Sequence, residues 1–548
     1  MTLTAPSTLA LRHRRTYLLL SVFIGVLWFA TLSIRPLFNP DEGRYAEIPR
    51  EILSGGDWVI PHLNGLAYIE KPPLQYWATA LSLRVFGQGE FAARFYTALC
   101  AFCTLFAVWL MARRLWSPAA AWRATAMLSS MLLFIALGQL LTLDMSLTLY
   151  MTLALAGFLF AQTGASSNRW MLLAWTATAL GVLTKGPVAA AIPAAVLVIY
   201  SLYARDFAPW RRLRLLTGLP LFLLITVPWH WLAARRLPDF LQFFFVHEHV
   251  ARYLTPSADR EEPWWFFGAV FLLGSAPWTL PALRAMGVGW RRRGAGEGFD
   301  SSLFLWIWVM FVLVFYTLSN SKLIPYILPA LPALAVLMAA SPAQALQRDL
   351  NRTALLTVCA AIALALTCLY GPKHLTPSDR SAYFISLAKP LAQIAALLAA
   401  SGLYVLSQRY RDATRSAVFL GVGWCLSGLL LLRAAAAVAP IYSGVDLARA
   451  LPDPNDAALY SVGTYDQTLP FYWRRTFTLV AYRGELDYGL HHDAGAEMPS
   501  VEQFVARWNS ESKAYAVMEP LMFDDLKGRG VPMREVARNV QRVLVARQ

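Results

Sequence analysis

Two short stretches concentrate reactive side chains in a chain that is otherwise apolar. The first is Pro40-Asp41-Glu42-Gly43-Arg44-Tyr45-Ala46-Glu47; the second is Tyr68-Ile69-Glu70-Lys71-Pro72-Pro73-Leu74. Charge is expensive at bilayer depth, so acids, a lysine and prolines crowded beside apolar segments mark a functional site by default. A solvated loop is the competing reading. The flanking aromatics and prolines, where a plain loop would carry serine and glycine, argue against it.

Four further stretches carry chemistry. Leu143-Asp144-Met145 places an acid where two apolar segments turn back, a position where aspartate also serves as a helix N-cap. Thr184-Lys185-Gly186-Pro187 holds a lysine between two apolar segments, where snorkelling to the interface is the simple alternative. Phe245-Val246-His247-Glu248-His249 precedes Arg252, and Ser321-Lys322-Leu323-Ile324-Pro325-Tyr326 opens another apolar segment. His247 and His249, with Glu70, are candidates to hold a divalent ion, zinc or magnesium; His-Glu-x-x-His is absent, so the pattern is weak.

Asp41, Glu42, Glu70 and Asp144 thus stand against Arg44, Lys71, Lys185, Arg252 and Lys322. A structural interface does not need so many charges of both signs. A site that binds phosphate while handling a sugar does. Cations neutralise a phosphate leaving group. A carboxylate orients a nucleophile or stabilises positive charge building on the ring.

The elements that must position these groups follow from composition. The chain is 57% hydrophobic and 15% charged, against about 25% charged in soluble domains. Its mean hydropathy is +0.46. It is expected to be a polytopic α-helical membrane protein. The net charge of +15 does not point to nucleic acid, because the basic residues are spread over short connections and no nucleic-acid-binding motif is present. All five cysteines fall in apolar segments, and Cys100-x-x-Cys103 lacks the context of a redox motif.

About thirteen segments are apolar enough to cross a bilayer: 17–35, 90–111, 122–138, 145–163, 170–184, 187–204, 215–233, 264–283, 302–319, 323–340, 353–370, 385–407 and 416–438. With the N-terminus inside, arginines such as Arg113, Arg114, Arg211, Arg212, Arg292 and Arg293 fall on the cytoplasmic side, as the positive-inside rule requires. The charged stretches then share the outer face. Within the first outer loop, Asp41 to Leu53 reads as a short helix lying on the membrane surface. Residues 1–438 form a transmembrane catalytic domain with site-bearing loops at 36–89 and 234–263. Residues 439–548 alternate short strands with polar helices and form a small α/β domain outside the membrane. Asp466, Glu485, His491 and His492 in it read as solvated loop residues.

These stretches, in this order, resemble the GT-C glycosyltransferases that use lipid-linked sugars. The nearer match is to the bacterial aminoarabinose transferases of lipid A. Asp41-Glu42-x-Arg44-Tyr45, Tyr68-x-Glu70-Lys71-Pro72-Pro73-Leu74-x-Tyr76-Trp77, Leu143-Asp144-Met145, Leu183-Thr184-Lys185-Gly186-Pro187, Phe245-Val246-His247-Glu248-His249 and Ser321-Lys322-Leu323-Ile324-Pro325-Tyr326 carry it.

The resemblance implies a GT-C fold of thirteen transmembrane helices with a periplasmic C-terminal domain, in a bacterial inner membrane. It implies transfer of 4-amino-4-deoxy-L-arabinose from undecaprenyl phosphate to a lipid A phosphate, hence resistance to polymyxin and cationic peptides. Asp41, Asp144 and Glu42 are the catalytic candidates. Lys71, Arg44, Tyr45, Tyr68, Lys185, Arg252, Lys322 and Tyr326 are expected to bind substrate, Lys71 first for the phosphate. The acceptor phosphate is already nucleophilic at neutral pH, so no strong base is needed; inversion is expected because no dedicated nucleophile pair is visible. The protein is expected to act as a monomer and to need no cofactor beyond the metal candidate above. Related transfer to another sugar or a protein acceptor is the alternative. A lipid flippase is the least favoured, since no inverted repeat is visible.

Overall fold

The computed structural model describes residues 8–163, 167–251, 253, 261–291, 298–371, 385–408, 412–493, 495 and 497–548. Its contacts divide the chain into two compact units. One comprises Met1–Thr31, Thr97–Gln139 and Leu143–Ala434; the other comprises Leu32–Tyr96, Leu140–Thr142 and Ala435–Gln548. The first long loop thus belongs to the same compact unit as the C-terminal residues.

In the helical unit, each of the thirteen apolar segments is occupied by helix. Six helices among the described residues are long and apolar enough to span a membrane, or eight if two bent pairs each count as one span. Shorter apolar helices account for four more segments, among them Val188–Ala204 and Ser301–Thr317. Local chemistry sets the ends. Ser117 accepts from Ala120 N at 3.1 Å to open Pro118–Ser129, and Asp300 accepts from Ser302 N and Leu303 N to open Ser301–Thr317.

Burial sorts the helices. Asp144–Thr163 is buried over 89% of its apolar window and forms the centre, whereas Leu215–Arg236 is buried over only 17% and presents apolar side chains outward. Gly157 makes the central packing possible. A Cβ there would lie 2.7 Å from the Trp170 carbonyl oxygen, so only glycine lets Ser167–Lys185 approach this closely.

Two segments read as single spans are broken. Pro118–Ser129 and Leu132–Gln139 meet at 66°, and Phe266–Gly274 meets the helix beginning at Thr279 at 117°. The two breaks join each other: Trp278 Nε1 donates to Ser130 Oγ at 2.9 Å, and Leu132 N donates to the Ala276 carbonyl at 3.1 Å. Groups freed from one broken helix are thereby satisfied by the other, the condition for irregular backbone inside an apolar protein.

The second unit is built on a six-stranded sheet in the order Glu497–Met498, Thr478–Val480, Ala458–Val462, Ala514–Met518, Val543–Arg547, Met533–Arg538. The first four run parallel, Val543–Arg547 pairs antiparallel with Ala514–Met518, and Met533–Arg538 pairs antiparallel with Val543–Arg547. Side chains alternate across it. Tyr460, Val462, Ala516, Met518, Val543 and Val545 meet Phe504, Trp508 and Phe523 on one face. Leu459, Val517 and Leu544 meet Leu447, Leu469 and Trp473 on the other. Both faces are covered, as a parallel sheet requires.

Candidate functional site

Helix Asp41–Gly55 carries the first reactive stretch. It does not lie on a surface as expected: ten of its residues, Glu42 to Arg50 and Ile52, are buried. Gly43 explains the fit. A Cβ there would lie 2.5 Å from the Gln467 carbonyl carbon, so the helix sits directly on the backbone that opens helix Thr468–Trp473. Apolar and charged faces alike are covered by protein from the same unit.

Glu42 is 2% exposed and ion-paired to two arginines. Arg35 reaches its carboxylate at 2.5 and 3.0 Å, and Arg94 at 2.7 and 2.9 Å. Phe38 N and Leu141 N donate to the same oxygens, each at 3.0 Å. Burial alone would raise its pKa, but the two guanidiniums outweigh burial and hold the carboxyl well below the usual range. No acceptor capacity is left for a substrate. The expected catalytic role of Glu42 is therefore corrected to an anchor that ties together the segment after the first apolar helix.

Arg44 is buried and faces a different set. Its guanidinium donates to Tyr68 Oη at 2.9 Å, pairs with Glu485 at 2.9 Å, and lies 3.4 Å from Asp41. It lies over the rings of Tyr45 and Tyr68, at 5.6 and 6.0 Å from their centroids. Burial works against the charge, yet Tyr68, Glu485, Tyr45 and Asp41 more than offset it and hold the guanidinium above its ordinary pKa. Glu485 is itself pushed up, by burial first and then by the neighbouring Glu70 and Asp41, against the pull of Arg44 and Gln467. Asp41 alone stands open, its side chain 54% exposed.

Two expectations for the C-terminal residues change here. Glu485 is not a solvated loop residue: it holds Arg44 and accepts from Gln467 at 2.8 Å. Asp466 is 4% exposed, accepts from Asn39 Nδ2 at 2.8 Å and caps Thr468–Trp473 through Thr468 N and Leu469 N. His491 and His492 are exposed, as read, but they end helix Asp487–His492 and do not lie in a loop. Nearby, Lys71 directs its ammonium to the Glu70 carbonyl at 2.9 Å, just before Pro72-Pro73 start helix Leu74–Phe86. Tyr76, on that helix, is fully buried, with its ring centroid 6.1 Å from that of Tyr45.

The helical unit holds a second constellation. Asp144 begins helix Asp144–Thr163 and Lys185 ends helix Ser167–Lys185, and the two side chains form an ion pair. The lysine ammonium also sits 4.9 Å from the Tyr326 ring centroid, and the Tyr316 ring packs on Tyr326. The Lys185 side chain is 15% exposed, so it pairs inward and does not snorkel. Gly186, at φ +85°, makes the turn that lets it do so. Lys322 is half-buried at the start of the same Tyr326 segment.

His247 pairs with Glu248 at 3.3 Å and stacks on Phe243. Arg252 and the side chain of His249 lie outside the described residues. Among the described residues, no group of three or more His, Cys, Asp or Glu is placed to hold a metal ion. The candidate trio Glu70, His247 and His249 includes the undescribed side chain of His249. Arg35, Arg94, Asp466 and Glu485 are the residues that sequence reasoning missed. Arg94 alone carried a signal, as a lone arginine inside an apolar segment.

Comparison with known proteins gives consistent findings. The model of the aminoarabinose transferase C-terminal domain matches residues 448–547, and that of dolichyl-phosphate-mannose-protein mannosyltransferase matches residues 70–231. The chain is 30% identical over 94% of its length, and 95% of the relative, to an undecaprenyl phosphate-alpha-4-amino-4-deoxy-L-arabinose arabinosyl transferase of Aeromonas hydrophila. It is 32% identical over 92% of each chain to the enzyme of that name from Erwinia tasmaniensis. Its structure resembles the crystal structure of ArnT from Cupriavidus metallidurans bound to undecaprenyl phosphate, with TM-score 0.87 and 32% identity, covering 96% of this chain and 97% of that one.

Proposed function

The chain belongs to the undecaprenyl phosphate-aminoarabinose arabinosyl transferases, GT-C glycosyltransferases of the membrane, and we propose that it moves 4-amino-4-deoxy-L-arabinose from undecaprenyl phosphate to a phosphate of lipid A. The single observation that carries this reading is likeness over nearly the whole chain to a structure that holds undecaprenyl phosphate. The protein acts as a monomer in a bacterial inner membrane with its site and C-terminal residues on the periplasmic side. The product masks negative charge on lipid A and protects the cell from polymyxin and cationic peptides.

The chemistry assigns roles. The acceptor phosphate has a second pKa near 6 and is already a nucleophile at neutral pH. A strong general base is therefore unnecessary. Asp41, the exposed acid beside Arg44, positions the sugar or stabilises positive charge on its ring as the bond to phosphate breaks. Lys71 neutralises the departing undecaprenyl phosphate. Arg44 is engaged by Tyr68, Glu485 and Asp41, and its task is to hold the site together. Asp144, paired with Lys185 under Tyr326, is the second candidate carboxylate. Attack on the face opposite the leaving phosphate gives inversion.

The match of residues 70–231 to the protein mannosyltransferases favours a second reading, with a protein hydroxyl as acceptor. Such an acceptor needs a real base, so its rate would titrate with a carboxylate. One experiment separates the readings: polymyxin survival with lipid A mass spectrometry, in a transferase-deficient bacterium carrying this chain or its Lys71→Ala form. Restored survival with an aminoarabinose mass increment, lost in Lys71→Ala at equal expression, is expected. Well-expressed wild-type chain with unmodified lipid A would overturn the proposal.

A further inference from the structure

We propose that Glu485 and Tyr76, on either side of the Arg44–Tyr45 pair, recognise the protonated amine of the donor sugar and so select an amino sugar over a neutral one. This rests on the transferase reading above and adds the residues that set its specificity.

The first observation is charge. Glu485 pairs with Arg44 at 2.9 Å and Asp41 lies 3.4 Å from it, while the Tyr45 ring, 5.6 Å from the guanidinium, packs 6.1 Å from that of Tyr76. Arg44 already meets Tyr68, Glu485 and Asp41. Arg44 is thus engaged by carboxylates and is not offered to the leaving phosphate, which Lys71 neutralises. Carboxylates among tyrosine rings suit a cation.

The second observation is independent of charge. Among the described residues, Tyr76 Oη is buried with no hydrogen-bond partner, and so is Arg44 Nε. Tyr76 is 0% exposed. Buried polar atoms are almost always paired, and an orphan costs stability unless a ligand supplies the missing bond. The two orphans differ in kind. Arg44 Nε can only donate, which fits a ring hydroxyl. The Tyr76 hydroxyl can accept, which fits an ammonium N–H. A sugar bearing both hydroxyls and an amine satisfies them together. The exposed Asp41 side chain marks the open edge of this cluster.

The test compares two donors, undecaprenyl phosphate carrying 4-amino-4-deoxy-L-arabinose or L-arabinose, with lipid A as acceptor and the full chain in proteoliposomes. Glu485→Gln keeps an acceptor for Arg44 and removes only the charge. Tyr76→Phe removes only the orphan hydroxyl. Wild type is expected to favour the amino donor in kcat/KM, and each variant to lower that ratio by about tenfold or more, chiefly through the KM of the amino donor. If wild type moves the amino donor but both variants leave the ratio unchanged, this inference fails and the transferase reading stands. If wild type moves neither donor, the transferase reading fails and carries this inference with it.

Discussion

Glu42 and Arg44 stand two residues apart on one helix, both buried, both charged, and they have opposite fates. Glu42 receives six hydrogen bonds, from Arg35, Arg94, Phe38 N and Leu141 N, and nothing further can reach it. Arg44 meets two carboxylates, Glu485 and Asp41, and among the described residues its Nε has no hydrogen-bond partner, nor does the buried Tyr76 hydroxyl. The lesson is that charge in a buried motif does not identify a site. Saturation identifies a scaffold; buried charge beside orphaned polar atoms identifies a place where a ligand completes the structure.

The largest effect should come from breaking the saturated side. Glu42→Ala leaves Arg35 and Arg94 buried without their counter-charge, a loss of about 3–5 kcal/mol for a buried network. The expected result is a collapse of folded yield and thermal midpoint in detergent. Retention of a wild-type midpoint would remove Glu42 from the scaffold. Because its carboxyl is held below the ordinary range, its contribution is present at neutral pH and lost only in acid.

A smaller effect sharpens the contrast on the same helix. Glu51 accepts from Asn64 N at 2.7 Å and Gly65 N at 2.9 Å, and its carboxyl is pushed up to about 8, by burial first and then by Glu47. An acid raised in the folded state favours folding when protonated. Its contribution is complete below the ordinary carboxylate pKa and is lost as pH rises towards about 8. Thermal midpoints from pH 5 to 9 should therefore decline more steeply in wild type than in Glu51→Gln. Parallel profiles would contradict the assignment.

Much of this was legible in the sequence, for reasons that differ by element. Apolar run length placed helix in each of the thirteen apolar segments, and alternation marked residues 439–548 as strands and helices in turn. Strand Met533–Arg538 escaped because Arg534, Glu535 and Arg538 interrupt the alternation on an exposed sheet edge. The break at Ser130-Met131 carries no proline and is made by Trp278 and Ala276, far away in sequence. Site residues in the first loop showed themselves by crowding. Glu485 did not, since nothing within its own stretch distinguishes a solvated acid from one that meets Arg44 across more than four hundred residues of chain.

The smallest stability effect is also the most telling, and Tyr76→Phe measures it. The orphan hydroxyl has no protein partner among the described residues, so removing it should raise the thermal midpoint slightly, by about 1 kcal/mol of relieved desolvation. The same change should slow aminoarabinose transfer, because the hydroxyl is kept for the ligand. A midpoint equal to or above wild type with transfer reduced about tenfold is what this account predicts. A lowered midpoint, or transfer at the wild-type rate, would contradict it.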